Sequence, residues 1–435
     1  MRRLWFATLI CLIGLGLIVQ ANMAHANLED ILYEKGQITK EEWLKTKADH
    51  EKEEAIIQQR AATKKWFDKL SIRGYTQMRY SYVTGEKDLR SEYDSSIGDN
   101  TGFLFRRIRL VISGDVTDWL SIYIQPDLGA TAGTGNNNFA QLRDAYTDIF
   151  LPFLSKDKEF RIRAGQSKVP FGFENLQSSQ QRLALDRSDA INSAANGERD
   201  LGFFFYYTPA DTRKLFRRLI ETGLKGSGDY GVLGVGVYNG QTLNVTEAND
   251  AKHVALHATY PFELPYGQIV QVGADAYRGV FNVVNSGAGI ARPDGGNIND
   301  ERVGAHFVLY PQPFGLQAEW NWGRGPELNA TQTALQEGSL QGGYVQAMYK
   351  WDNALSAGNV AIPYIRWQEY QGGKKHRTSS PFNVVRELEV GLEYQFSKEL
   401  ELTVAYAWMK RTDTQTAPFP IRDGEVLRFQ LQWNY

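Results

Sequence analysis

The chain ends Leu427-Arg428-Phe429-Gln430-Leu431-Gln432-Trp433-Asn434-Tyr435, with apolar and polar residues in strict alternation. Successive side chains of an extended strand point to opposite faces, so this stretch is a strand with one apolar face and one polar face. The same period of two recurs upstream. Ile72, Thr76, Met78, Tyr80 and Tyr82 alternate with Arg73, Gln77, Arg79 and Ser81, and Leu120, Ile122 and Ile124 alternate with Ser121, Tyr123, Gln125 and Asp127. In a sandwich the apolar faces meet in a shared core. In an outer-membrane barrel they face lipid, and the polar faces line a lumen.

The spacing between strands chooses the barrel. Short links fall at 114–118, 151–158, 226–229, 261–266, 311–313, 351–359 and 397–398. Long links fall at 84–102, 129–139, 167–200, 240–250, 281–300, 324–340, 372–383 and 411–425. Long and short alternate, which predicts sixteen antiparallel strands with short turns on one rim and long loops on the other. A sandwich gives no reason for that segregation. Residues 201–208 and 219–225 both look strand-like, so one belongs to a connection or both form one interrupted strand. An aromatic last residue on an amphipathic strand, and Trp119, Phe150, Trp320, Trp322, Trp351 and Trp408 near strand ends, fit the terminal signal and aromatic girdles of such barrels.

Composition agrees. Across 435 residues there are 48 Lys+Arg against 50 Asp+Glu, 41 Gly, 22 Tyr, 22 Phe and 10 Trp. Mean hydropathy is -0.41, which excludes a polytopic helical membrane protein, and the balanced charge argues against nucleic acid as a partner. Residues 1–26 read as a secretory signal: Arg2 and Arg3, an apolar run from Leu4 to Val19, then Ala24-His25-Ala26, with cleavage expected after Ala26. The single cysteine, Cys11, lies inside that signal without a lipobox around it, so the exported chain is expected to hold no disulfide and no lipid.

Residues 27–69 form a second segment, rich in Glu, Lys, Ala and Leu. Thr39 and Glu42 make a capping box for a helix over 40–68. Leu44, Ala48, Ala55 and Ala62 recur near heptad spacing, but Glu51, Gln58 and Lys65 occupy the alternate core positions, a weak coiled coil at best. A solvated periplasmic helix, a trimerising or cell-wall-contacting stalk, and a plug in the pore are the three readings. Residues 70–435 are the barrel. The expected architecture is therefore all-β: a sixteen-stranded transmembrane barrel preceded by a short periplasmic helical segment.

Several stretches resemble the phosphate-selective porin O and P family, and the likeness covers most of the exported chain. They are Leu28-Glu-Asp-Ile-Leu32 running on to Thr39-Lys-Glu-Glu-Trp43, and Phe105-Arg-Arg-Ile-Arg-Leu110 followed by Gly114-Asp-Val-Thr-Asp-Trp119. Arg163-Ala-Gly-Gln166 with Val169-Pro-Phe-Gly172, then Arg187-Ser188 and Glu198-Arg-Asp-Leu-Gly202, complete the set. The resemblance implies a homotrimeric anion channel of the bacterial outer membrane, surrounded by lipid and passing small anions such as phosphate or polyphosphate. It also implies a ladder of lumenal arginines leading to a constriction where the third loop, 167–200, folds inward. The family's paired arginines fall on Arg106 and Arg107.

Parity selects the residues an anion would meet. Arg73, Arg79, Arg107, Arg109, Arg161 and Arg163 take the lumenal face of early strands, and Lys168, Arg182, Arg187 and Arg199 belong to the third loop. Arginine suits oxyanions because its planar fork binds two oxygens while keeping its charge. Arg106 has lipid-side parity, so it lies at the rim or marks a register shift. Late strands place Glu319, Glu387, Glu389, Glu393, Glu399 and Glu401 on the lumenal face, an acidic wall opposite the basic one. Pairing with Arg302, Arg366 and Lys350 would neutralise it; without such pairing the channel would be a general diffusion porin with a transverse field. Neither a cofactor nor a metal is expected. His253 and His257 are four apart on a strand, about 13 Å, too far to share a metal; His306 and His376 stand alone. No catalytic motif is present. An enzyme, or an envelope tether acting through 27–69, are the alternatives from other classes.

Overall fold

The computed structural model describes residues 32–33, 35–63, 66–85, 102–129, 140–415 and 417–435. The expected signal at 1–26 and most of the links at 84–102 and 129–139 lie outside them. The chain divides into two units at Asp68 and Lys69.

In the first unit, helix α1 spans Lys40–Thr63. Its start follows from the capping box: the Thr39 N–H donates to the Glu42 carboxylate at 2.8 Å, and the Glu42 N–H donates to Thr39 Oγ1 at 3.3 Å. The helix ends short of the expected residue 68, and Trp66–Lys69 form a 3-10 turn.

The second unit is a closed antiparallel barrel. Its first half comprises β1 Ser71–Gly85, β2 Gly102–Thr117, β3 Leu120–Asp127, β4 Gln141–Phe150, β5 Phe160–Lys168, β6 Arg199–Tyr207, β7 Leu233–Tyr238 and β8 His253–Glu263. The second half comprises β9 Ile269–Asn282, β10 Asn297–Leu309, β11 Phe314–Leu328, β12 Leu335–Tyr349, β13 Val360–Gly373, β14 Phe382–Gln395, β15 Leu400–Thr412 and β16 Ile421–Asn434. Trp351–Asp352 pair with β13 inside a turn and are not counted as a strand. Each strand pairs with its sequence neighbours, and β1 also pairs with β16, closing the barrel at sixteen strands. The terminal residue takes part in the closure. The Tyr435 N–H donates to the Gly74 carbonyl at 3.0 Å, and its ring lies where a Cβ on residue 74 would be 2.5 Å away, so only glycine fits.

Alternation sets the two faces. Phe103, Phe203, Leu256, Val303, Phe307, Trp322 and Trp367 are exposed on the outside, while Gln77, Arg79, Arg109, Arg302 and Gln430 are buried inside. Two connections differ most from the sequence expectation. The link at 324–340 shrinks to 329–334 because β11 and β12 run well past the predicted edge. The short link at 226–229 is a long one, 208–232, carrying helix α4, Ala210–Glu221. Thr212, Phe216 and Leu219 recur at helical spacing and are buried. The strand-like look of 219–225 came from the end of that apolar stripe.

Candidate functional site: the third loop and the arginines around it

The β5–β6 connection turns into the barrel. At its start Val169-Pro170-Phe171-Gly172 folds under the wall, with Phe171 packed edge-on against Tyr277 at 5.0 Å. Gly172 has φ 82° and a Cβ there would lie 2.5 Å from a Glu319 oxygen, so glycine alone allows that carboxylate to approach. Two short helices follow, α2 Phe173–Leu176 and α3 Asp189–Asn192. One side of the loop is apolar: Val169, Phe171 and Ala194 pack with Phe204, Tyr206, Tyr238 and Tyr277 of β6, β7 and β9. This fills one side of the lumen with aromatic rings and sets the charged side of the loop against β1, β2 and β13–β16.

The late wall holds the loop. The N–H groups of Phe173 and Glu174 donate to the Glu319 carboxylate at 2.9 and 3.0 Å. Arg366 donates twice to Glu174, at 2.6 and 3.1 Å. Burial pushes the Glu174 carboxyl up, but the Arg366 guanidinium outweighs it and holds the group below the ordinary carboxylate range. Arg302 donates to the Ala190 and Ser193 carbonyls, and Arg411 binds Asp189 at 2.7 Å and Glu387 at 2.5 Å. Glu389 contacts Arg428 and accepts from the Tyr364 hydroxyl. Glu393 pairs with Lys225 at 2.6 Å, and Glu401 accepts from Gln432. Three glutamates of the acidic wall, Glu387, Glu389 and Glu393, thus pair with cations other than those expected, whereas Glu319 meets backbone N–H groups and Glu401 the Gln432 amide. Arg411, Arg428 and Lys225 take the glutamates, Arg366 and Arg302 hold the loop, and Lys350 pairs with Asp352. Glu399 lies exposed in the β14–β15 turn, outside the wall.

Aspartates within the early wall pair most of its arginines. Arg109 binds Asp127 at 2.9 Å. Arg163 forks onto Asp148 at 2.7 and 2.9 Å and stacks 3.8 Å from the Tyr146 ring centre. Arg161 binds Asp229 at 2.8 Å, and Arg199 binds Asp144 at 2.8 Å. At the loop base Glu198 gathers Lys168, at 3.7 Å, Arg187, at 3.1 Å, and Arg199. Arg73 is exposed at the start of β1. Asp127, Asp144 and Asp148 share lumenal parity with those arginines, so the early wall is mixed in charge rather than basic.

A different arrangement holds Arg106 and Arg107. Gln77 pairs with Arg107 and Met78 with Phe105, so Arg106 is the extra residue of a β-bulge. The bulge brings two consecutive arginines to the lumenal side, which strict alternation forbids. Arg106 and Arg107 meet Arg79, Arg428 and the loop carboxylate Asp186 there. Beside this cluster a gap is lined by Asp186, Arg187, Asp189, Arg366, Glu387 and Arg428, with about 20 Å³ open, one water's worth. His257 and His306 share Asp275, at 2.5 and 3.3 Å, so His306 does not stand alone. No group able to hold a metal ion occurs among the described residues.

Comparison with known proteins agrees with this architecture. Residues 76–435 match the family model for phosphate-selective porin O and P. Among solved structures, Salmonella typhi OmpF in complex with daunomycin aligns with a TM-score of 0.53 and 14% identity, over 84% of this chain and 97% of that one. The outer-membrane channel DcaP of Acinetobacter baumannii gives 0.49 at 15% identity, over 84% and 97%. An anion-selective porin from Comamonas acidovorans gives 0.47 at 12%, over 84% and 99%. No curated protein matches significantly. With 360 consecutive residues under the family model and a closed sixteen-stranded barrel beneath it, the chain belongs to the phosphate-selective porin O and P family: it is an outer-membrane porin, a passive diffusion channel.

Proposed function

We propose that this porin passes small oxyanions, phosphate and polyphosphate among them, past the meeting point of loop 169–198 with β1, β2 and β16. One observation carries the reading: Arg79, Arg106, Arg107 and Arg428 converge on a single loop carboxylate, Asp186, at 2.5–3.6 Å. Among the described residues most other lumenal arginines have a carboxylate of their own, whereas here four guanidiniums share one. Charge-assisted bonds from guanidinium forks recognise oxyanions, and several moderate contacts along a path let the ion leave again. Arg73, Arg109, Arg161 and Arg163 line the approach along the early wall, and Lys168, Arg182, Arg187 and Arg199 surround the constriction. The close pairing of Arg109, Arg163 and Arg199 favours a second reading, a general diffusion porin with a mixed-charge lumen. The two differ in one experiment. In planar bilayers, added phosphate should reduce the chloride current in a saturating manner; a current indifferent to phosphate would leave the general porin.

The wider organisation follows the same reading. Residues 1–26 are a cleaved export signal, 27–69 a periplasmic helical segment suited to cell-wall contact, and 70–435 the barrel. The protein acts as a channel and catalyses no reaction. A homotrimer accords with this reading: β3 and β7, with eight and six residues, are shorter than the nine to eleven needed to cross the hydrocarbon core, and a neighbouring protomer would cover that wall.

A further inference from the structure

Asp186 sits inside the arginine cluster in the way an oxyanion would. Its Oδ1 accepts from Arg106 Nη2 at 3.2 Å and lies 3.4 Å from Arg107 Nη2. Its Oδ2 lies 2.5 Å from Arg79 Nη1 and 3.6 Å from Arg428 Nη1. Each oxygen thus faces two guanidiniums, one pair on the bulge of β2 and the other on β1 and β16. Glu389 also contacts Arg428, so among the described residues four guanidiniums gather on Asp186 with a second carboxylate at the edge of the cluster. Arg182 adds a fifth guanidinium in the same loop, 7% exposed. Among the described residues its Nη1 has no hydrogen-bond acceptor, and neither has Nε of Arg106 or of Arg107. Three buried cationic N–H groups without acceptors, clustered around one carboxylate, mark a site with capacity for more anion than it holds.

We propose that Asp186 is a tethered stand-in for the permeant: a passing oxyanion enters the cage by displacing the Asp186 carboxylate, and Asp186 returns as the anion leaves. The inference rests on the oxyanion reading above and adds how release is achieved. Without a competitor, a cage of several converging guanidiniums would hold a doubly charged oxyanion long enough to stop conduction. A carboxylate on the same chain competes at an effective concentration in the millimolar range or above, which weakens the apparent affinity and keeps exchange fast. The ligand class follows from the geometry. It is an anion presenting two oxygens spaced as in a carboxylate, so that each meets one arginine pair, as inorganic phosphate does and a halide does not.

The test uses the full-length protein in planar bilayers, with inorganic phosphate titrated against the chloride current. Asp186→Asn keeps the shape and removes the charge, and its half-blocking phosphate concentration should fall at least tenfold below wild type. Asp186→Glu keeps the competitor and should stay within about threefold of wild type. An unchanged or weaker block in D186N would overturn the proposal. So would equal tightening in D186N and D186E, which would assign the effect to displacement of the loop. The wild-type zero-current potential separates this inference from the one beneath it. A cation-selective wild type fails the oxyanion reading, whereas an anion-selective wild type with an unchanged D186N block fails only the role of Asp186.

Discussion

On β2 to β6 the lumenal arginines meet aspartates of a neighbouring strand or of one strand beyond it: Arg109 meets Asp127, Arg163 meets Asp148, and Arg199 meets Asp144. On β11 to β15 three lumenal acids also engage the loops: Glu319 holds the backbone of α2, Glu387 meets Arg411 of the adjacent strand and through it Asp189, and Glu393 reaches Lys225 of the β6–β7 connection. Both walls therefore pair much of their charge, but to different ends. The early wall neutralises itself locally and presents short dipoles to a passing ion. The late wall fixes the position of the loops. The cage at Asp186 is the exception, because a bulge delivers one arginine more than strand alternation allows. Selectivity and pore width should accordingly respond to different mutations.

The largest effect is expected at the cage itself. Changing Arg106 and Arg107 together to Glu replaces two positive charges by two negative ones beside Asp186, and the zero-current potential should change sign from anion to cation preference. Retained anion preference would place the selecting charges elsewhere. Next in size, Glu319→Ala leaves the buried N–H groups of Phe173 and Glu174 without their acceptor, at about 1–3 kcal/mol each, and unlatches the loop. Single-channel conductance should rise severalfold with little change in ion preference; unaltered conductance would show that the late wall does not hold the constriction. A smaller effect should follow from Asp148→Asn on the early wall. It frees the Arg163 fork and should raise anion over cation permeability by a few fold at constant conductance, and a conductance change equal to that of the Glu319 variant would erase the distinction between the walls. The smallest is a pH effect. Burial, only partly offset by Asp189, pulls Lys374 in the β13–β14 loop down to about 7. Burial likewise brings Lys375 down to about 8, against the pull of Asp300. Both ammonium groups are charged below those values and neutral above, so anion preference should decline modestly from pH 6 to pH 9; a rise over that interval would contradict the assignment.

Much of this was legible in the sequence because alternation and link length are local properties. The sixteen strands, the lumenal parity of Arg79, Arg107 and Arg109, and the anomaly at Arg106 all follow from residues close together in the chain. The capping box at Thr39 and Glu42 was equally plain. What escaped depended on distance or on a second period. Helix α4 was obscured because Phe216 and Leu219 carry a helical spacing inside a chain dominated by period two. The cage was invisible because Arg79, Asp186 and Arg428 lie more than 100 residues apart from one another and come together only on barrel closure and loop insertion. The partners of the acidic wall were missed for the same reason: Glu393 and Lys225, or Glu319 and Phe173, share no local pattern. Counting charges by wall indicated a balanced lumen, and only the pairing shows where the balance fails.

That local failure of balance is the central claim, and the zero-current potential of the wild-type channel across a tenfold KCl gradient tests it most directly. The account predicts a potential of the sign set by chloride, with the anion more permeant than the cation; a potential of the sign set by potassium would contradict it.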